Sequence, residues 1–228
     1  MRKVATAIGL SLVILLAAPI GSDLVVSHYR RWQASKILAT VRRLHPGTTT
    51  ESEVNASLKS FSRYEHRTEL QHDGIVVRRI DYQFFNLRTA SIAYYLRFLP
   101  FRTTLPWTMF EVSVKFVDGF LAEVHVIEMQ EDQPGYPHPN SASVSILSTR
   151  VRSPYDLPPA DFNGYSEHSR STFQLDENQK MTSFSCCHAR FITLDERATP
   201  EQFSHSMNFQ LRCLTSYLRC KDDRQILP

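Results

Sequence analysis

Apolar and polar residues alternate most clearly over positions 108–129, which predicts two strands joined at Asp118-Gly119. The apolar positions are Phe110, Val112, Val114 and Phe116 on the first strand and Phe120, Ala122, Val124 and Val126 on the second. A two-residue turn would place these two sets on opposite faces, because side chains alternate along each strand. We therefore expect a type I turn over Phe116–Gly119 with a bulge at a left-handed Gly119. That register places Phe116 opposite Phe120 and Val112 opposite Val124.

Elsewhere in the body, short strand patterns outnumber helical ones. Thr50 and Glu53 have the spacing of a capping box, and Pro200 after Thr199 is typical of a helix start. Strands are expected at Gly74–Asn86, Ser91–Leu99, Ser143–Arg152, Met181–Leu194 and Asn208–Leu214, with a closing helical turn at Asp222–Leu227. Because βαβ alternation is missing, the pattern indicates an α+β fold, an antiparallel sheet packed by one or two short helices.

The N-terminus follows a different pattern, since no charged residue occurs in the nineteen residues from Val4 to Ser22. A helix of this length spans close to the roughly 30 Å hydrocarbon core of a bilayer. We expect an uncleaved membrane anchor over residues 1–22. A cleaved signal peptide with its apolar region at Ala7–Ala18 is the alternative. Pro19 disfavours cleavage after Ala18, and no small-x-small site follows cleanly.

Residues 23–45 continue the helical pattern as a basic juxtamembrane helix that ends before Pro46-Gly47. Tyr29 and Trp32 are expected at headgroup depth. Three cations on this helix are expected to contact anionic lipid: Arg30, Arg31 and Lys36. The alternative is a solvated helix with one stripe facing the core, and both descriptions can hold at different depths of one helix.

Charge and motif content exclude several classes of function. Residues 1–45 carry seven Lys/Arg against one acid, a net charge of +6, and residues 46–228 have a net charge of −3. A mildly acidic body argues against nucleic-acid binding. None of the seven glycines lies within ten residues of another, which excludes a Rossmann fingerprint, a Walker A loop and a nucleophile elbow. We expect no cofactor and no metal, because His-Glu-x-x-His and Cys-x-x-Cys are also absent.

The four cysteines lie together near the C-terminus, at Cys186, Cys187, Cys213 and Cys220. An even number in one region indicates disulfides in an oxidising compartment. If strands 181–194 and 208–214 paired, Cys187 would lie beside Cys213, with Cys186 close to Cys220. A local Cys213–Cys220 bond is the other option, if a loop connects the two. Zinc binding with His188 or His205 and reduced structural thiols are further alternatives.

One candidate for catalysis lies on the polar face of the predicted hairpin. The expected register sets Glu111 opposite His125, a pair that can orient a general base. Exposed cross-strand ion pairs are also common without any catalytic role. Six residues in and beside the loops 130–142 and 153–166 form a second candidate, a recognition surface: Tyr136, His138, Tyr155, Asp156, Tyr165 and His168.

Two short segments resemble known proteins. The tail from Cys213-Leu214 through Cys220-Lys221-Asp222 to Ile226-Leu227-Pro228 resembles the C-termini of uncharacterised bacterial exported proteins, over some sixteen residues. Pro46-Gly47-Thr48-Thr49-Thr50-Glu51-Ser52-Glu53-Val54 resembles the helix entry of small envelope α+β domains of the outer-membrane-assembly lipoprotein type. The chain lacks their lipid-bearing cysteine and has a longer body, so no function is transferred.

The sequence thus predicts an anchor (1–22), a juxtamembrane helix (23–45) and one α+β body (46–228). More Lys/Arg lie on the C-terminal side of the apolar run, which favours a cytoplasmic body, whereas Arg2 and Lys3 lie directly against the run and favour the opposite orientation. The cysteines favour an extracytoplasmic body. We expect a single-pass protein of the bacterial cytoplasmic membrane, with a non-enzymatic domain that binds an unknown protein, peptide or glycan. An envelope hydrolase with a dispersed catalytic site and a cytoplasm-facing adaptor are the alternatives.

Overall fold

The computed structural model describes residues 2–72, 74–85, 107–131, 140–152, 162–177, 180–214, 220 and 223–228. Residues 2–20, 170–177 and 180–188, together with Asp23, His72, Trp107 and Glu131, are described by their backbone alone. The predicted strand Ser91–Leu99 lies outside the described residues.

The described chain forms one seven-stranded sheet and three α-helices. The helices are α1 (Arg2–Val41), α2 (Glu51–Leu58) and α3 (Pro200–Ser206), with 3₁₀ turns at Lys59–Tyr64, Leu211–Leu214 and Asp223–Gln225. The strands are β1 (Glu65–His72), β2 (Ile75–Phe85), β3 (Trp107–Val117), β4 (Phe120–Glu131), β5 (Asn140–Leu147), β6 (Tyr165–Glu177) and β7 (Lys180–Leu194). Their order is β1-β2-β3-β4-β5-β7-β6, and all neighbours are antiparallel except β5 and β7. The α+β class is confirmed, but the sheet is mixed rather than antiparallel throughout.

One face of the sheet carries the main core. The second half of α1 packs there through Ala34, Ile37, Leu38 and Val41, each at most 4% exposed. From the strands, the apolar members of this core are Ile80, Tyr82, Phe84, Phe110, Val112, Val114, Phe116, Leu121, Val124, Val126, Ala142, Val144, Ile146, Ile192 and Leu194. Side chains of α2, of the 3₁₀ turn Leu211–Leu214, of Met207 and Phe209, and of Ile226 and Leu227 close the same core. Every described helix therefore covers the same side of the sheet.

The β3–β4 hairpin combines a two-residue turn with a bulge. Asp118 and Gly119 have φ of 51° and 79°, as a type I′ turn requires. Lys115 pairs with Glu123, but Phe116 pairs with Leu121, so Ala122 is the extra residue. The bulge brings the apolar residues of both strands to one face. The predicted register was therefore wrong, since Val112 faces Val126, but the positive φ of Gly119 is confirmed.

The chain from Gly47 to Glu51 runs along this turn and links the helices to the sheet. The Gly47 N–H donates to the Leu121 carbonyl at 2.7 Å, and the Leu121 N–H donates to the Thr49 carbonyl at 2.9 Å. The Thr50–Glu53 capping box is confirmed, and so is the helix start at Thr199-Pro200. The end of α1 and the start of α2 are thereby attached to the hairpin.

The predicted strand Asn208–Leu214 was wrong, and the predicted disulfide pairing with it. Residues 208–210 are irregular and Leu211–Leu214 is a 3₁₀ turn, because the apolar side chains there pack onto the sheet face instead of extending it. Cys213 is bonded to Cys220, with their Cα atoms 6.0 Å apart. Cys186 and Cys187 lie in β7, where only the backbone is described.

Within the part of the chain whose side chains are described, no helix is long and apolar enough to cross a membrane. The apolar run Val4–Ser22 lies almost wholly in residues 2–20, which are described by their backbone alone. The anchor therefore stays a prediction.

Substitution of Gly119 by alanine should destabilise the fold by about 1 kcal/mol, because a φ of 79° is unfavourable for a residue with a Cβ. No atom lies within 4 Å of the added Cβ, so backbone strain is the expected cause. Denaturant unfolding of the full chain in detergent measures the effect. The control is Gly21→Ala, since Gly21 lies within α1 without a positive φ. An unchanged midpoint for Gly119→Ala would contradict the turn geometry.

Candidate functional site: the polar face of the sheet

The face of the sheet opposite α1 carries mostly polar side chains. Because side chains alternate along a strand, the residues between the buried core positions all point to this side. Its polar members from β2 to β5 are Arg79, Asp81, Gln83, Glu111, Ser113, Lys115, Glu123, His125, Ser141, Ser143 and Ser145. A small apolar cluster of Val77, Val117 and Ala122 borders them at the turn end of the hairpin. We call this surface the polar face.

A first network on the polar face is centred on Arg79. Its guanidinium lies 2.6 Å from Asp81 Oδ1 and 3.3 Å from Glu111 Oε1, and it donates to Ser113 Oγ at 3.2 Å. Gln83 donates to the other oxygen of Glu111 at 2.8 Å. Burial lowers the pKa of Arg79, but the hydrogen bond and charge of Asp81 outweigh it and raise that pKa above its usual value. One cation thus holds two carboxylates that are each less than 10% exposed.

A second network follows on β3, β4 and β5. Lys115 Nζ lies 2.8 Å from Glu123 Oε2, with both side chains at most 14% exposed. His125 Nδ1 lies 2.8 Å from Ser145 Oγ and 4.0 Å from Glu123 Oε1. A hydroxyl, an imidazole and a carboxylate therefore meet on three neighbouring positions of two strands.

The predicted Glu111–His125 pair does not form. In the observed register Glu111 faces Ile127 and His125 faces Ser113, because the hairpin register differs from the predicted one. The structure brings Ser145 to His125 instead. The alternation of serines with apolar residues in Ser141–Ile146 signals a strand with one polar face, but no local pattern indicates that β5 pairs with β4.

The Ser145–His125–Glu123 arrangement differs from a catalytic triad in two respects. In a triad, the acid and the hydroxyl use different nitrogens of the imidazole, whereas here both approach Nδ1. An oxyanion also needs free backbone N–H donors, and β5 is paired with β4 on one side and β7 on the other.

The other sequence candidates are dispersed. Tyr165 donates to Glu167 Oε2 at 2.5 Å, and His168 stacks on Phe191 at 5.3 Å between ring centroids. His205 Nε2 lies 3.1 Å from the Arg190 guanidinium. The described residues contain no group of three or more His, Cys, Asp or Glu placed to hold a metal. Four loop candidates lie outside the described residues: Tyr136, His138, Tyr155 and Asp156.

The three cations predicted to contact lipid lie on different sides of α1. Lys36 is exposed beside Trp32, with Nζ 3.6 Å from the ring centroid. Arg30 and Arg31 are half-buried on the sides of α1 nearer the core. Arg63, from the 3₁₀ turn Lys59–Tyr64, lies instead over the Tyr29 ring at 5.2 Å. Sequence reasoning missed Arg63, because its approach to α1 is a contact between residues distant in the chain.

On the core side of β4, Glu128 is buried among apolar side chains. It faces Phe110 and Ala142 and is 1% exposed, and neither carboxylate oxygen has a hydrogen-bond partner among the described residues. Burial raises the pKa of this carboxyl well above its usual value, and the charge of Arg31 opposes the shift only in part. Burial without a partner among the described residues therefore favours the neutral form of Glu128.

Comparison with known proteins assigns no family to this geometry. The chain matches no protein-family model, no curated protein and no solved structure. The polar face, α1 and the disulfide are therefore the features that bear on its function.

Replacing Glu128 by glutamine should stabilise the protein at neutral pH but not in acid. At a pH above 4.5, the usual pKa of a glutamate, the carboxyl ionises in the unfolded chain while the folded state keeps the proton. The free energy of unfolding therefore falls as the pH rises. Glutamine does not titrate. We expect equal stability near pH 4 and a gain of about 1 kcal/mol or more near pH 7.

Urea unfolding of the full chain in detergent at both pH values measures this difference. Glu69→Gln is the matched control, because it removes the same charge from a side chain that is 64% exposed. A gain that is equal at both pH values would show that the charge of Glu128 is not the cause.

Proposed function

We propose that this chain is a membrane-tethered, non-enzymatic domain of the cell envelope that binds its partner through the polar face. The observation that carries the proposal is the continuity of α1. One helix of 40 residues, about 60 Å long, includes both the apolar run and the residues that fill the core. Ala34, the first of these core residues after the run, follows Ser22 by about 18 Å of helix. The tether is therefore rigid and short.

The Cys213–Cys220 bond supports an extracytoplasmic position for the body. Disulfides persist in oxidising compartments and are rare in the cytoplasm. Arg2 and Lys3 lie directly before the apolar run, so an orientation with the N-terminus in the cytoplasm also satisfies the positive-inside rule at that end. We place the protein in the bacterial cytoplasmic membrane as a single-pass protein.

The polar face is suited to a partner with its own charges and hydroxyls, such as a protein or a glycan. Cations and carboxylates alternate across it, and its serines lie between them, so no single sign of charge dominates. Such a surface selects partners by hydrogen bonds and charge complementarity. A hydrolase based on Ser145 and His125 is the second candidate, and their 2.8 Å contact favours it. A hydrolytic activity that is lost in Ser145→Ala, while the variant still binds the partner, would distinguish the hydrolase from the non-enzymatic binding domain.

Detergent, but not high salt, should release the full chain from membranes, because burial of an apolar helix is not screened by ions. Alkaline phosphatase fused to the C-terminus should be active and a fluorescent protein at the same position dark. A soluble, N-terminally shortened chain would indicate a cleaved signal. Fluorescence without phosphatase activity would move the body to the cytoplasm and favour the adaptor.

A photo-crosslinking amino acid placed on the polar face should capture a partner in cells. Gln83 and Ile127 suit this purpose, because both are half-buried on that face and neither belongs to the core. Ser204 on α3 is the matched control, since it is exposed on the covered side of the sheet. A shared adduct at the first two positions and none at Ser204 is expected. Equal labelling at all three positions would contradict the proposed surface.

A further inference from the structure

A stripe of exposed side chains runs along α1 on the side that faces away from the core. Val25, Tyr29, Trp32 and Lys36 recur at spacings of three and four residues, so they share one side of the helix. Val25 is 70% exposed, Tyr29 42% and Trp32 49%. Ser27, Ala34 and Val41 lie on the opposite side and are buried. A helix packed on one side thus presents large apolar surface on the other.

The stripe is an ordered cluster of rings and cations. The Tyr29 and Trp32 rings lie 5.7 Å apart, and Lys36 covers Trp32. Arg63 lies over both Tyr29 and Tyr64, at 5.2 and 4.6 Å from their ring centroids. Gln33 donates to the Tyr29 hydroxyl at 2.8 Å. Because Arg63 belongs to the body rather than to α1, the cluster joins the helix to the domain.

We propose that Val25, Tyr29, Trp32, Lys36 and Arg63 form a docking surface for the anionic lipid headgroups of the membrane that holds α1. The inference rests on the proposed anchor and adds a second contact with the same bilayer. Amphipathic rings and cations together suit the interface, where rings occupy the headgroup layer and cations bind phosphate. No acid occurs between Asp23 and Glu51, so nothing on this stretch of the helix repels the lipid charge.

The distances along α1 allow this contact when the helix tilts. Val25, Tyr29 and Trp32 lie about 4.5, 10 and 15 Å beyond Ser22 along the axis. The headgroup layer on one side of a bilayer is about 5–7 Å thick, and spanning helices tilt by up to about 40°. A tilt towards the stripe therefore brings Val25 and Tyr29 into the layer, with the longer Trp32 and Lys36 side chains reaching its outer edge.

This contact determines where the polar face points. The stripe and the core lie on opposite sides of α1, and the core and the polar face lie on opposite sides of the sheet. When α1 tilts towards the stripe by up to about 40°, the core, the sheet and the polar face lie on the side of α1 that is raised from the bilayer. The polar face is then inclined away from the membrane, towards a partner.

Trp32 reports the contact directly, because the chain has two tryptophans and Trp107→Phe leaves one. The full-length single-tryptophan chain is reconstituted in phosphatidylcholine vesicles with or without phosphatidylglycerol. Quenching of Trp32 by lipids brominated near the headgroup should increase, and its emission should shift to the blue, when phosphatidylglycerol is present. If Trp107→Phe does not fold, the difference between wild type and Trp32→Phe supplies the same signal.

Lys36→Gln/Arg63→Gln should lose the phosphatidylglycerol-dependent part of the quenching. The matched control is Arg150→Gln/Arg152→Gln, which removes two exposed cations beyond the end of β5 and should retain it. Quenching that is independent of phosphatidylglycerol while the chain stays in the vesicles would overturn the docking surface alone. Release of the chain from the vesicles by high salt would overturn the anchor as well. An equal loss of quenching in both double variants would show that the effect depends only on net charge, and would contradict the assignment to Lys36 and Arg63.

Discussion

The packing of one side of α1 onto the sheet is the constraint from which the other features follow. Ala34, Ile37 and Val41 are completely buried, so the rotation of the helix about its axis is determined. With that rotation, Tyr29 and Trp32 must face away from the body, and the apolar run must leave the domain along the same axis. The sheet needs only one covering layer on this side, so its other face is available for polar groups. A rotation of α1 by half a turn would bury the tryptophan and expose the core, which burial of apolar area opposes.

The second constraint is the bulge at Ala122, which reconciles two local requirements. Asp118-Gly119 favours a two-residue turn, and the apolar residues of both strands must reach the same face. Both hold only when one strand contains an extra residue. The bulge also determines the chemistry of the polar face, because it sets Ser113 opposite His125, where the same two-residue turn without a bulge would set Val112. The contacts between β3 and β4 on the polar face therefore depend on one irregular residue.

The sequence predicted features that depend on near neighbours: both helix starts, the strands of the hairpin, the position of β7 and the positive φ of Gly119. It did not predict β1, since Glu65–His72 is an exposed edge strand with polar residues on both faces and no alternation. The parallel β5–β7 pair, the approach of Arg63 to Tyr29 and the Ser145–His125 contact join residues far apart in the chain. Cys213–Cys220 was one of two open pairings, and the choice depended on whether residues 208–214 extend or turn. Periodicity cannot decide this, because Phe209, Leu211 and Cys213 alternate in either case.

The C-terminal segment completes the core by hydrogen bonds as well as by apolar contact. The Cys220 N–H donates to Gln130 at 2.7 Å, and Asn140 donates to the Cys220 carbonyl at 2.8 Å. The disulfide holds Cys220 to Cys213, which is itself buried against the sheet. Cys220 therefore lies beside Gln130 at the end of β4, and reduction of the disulfide would remove the covalent link that holds it to Cys213. An oxidising compartment therefore favours the folded state through the covalent bond that holds Cys220 at this end of the core.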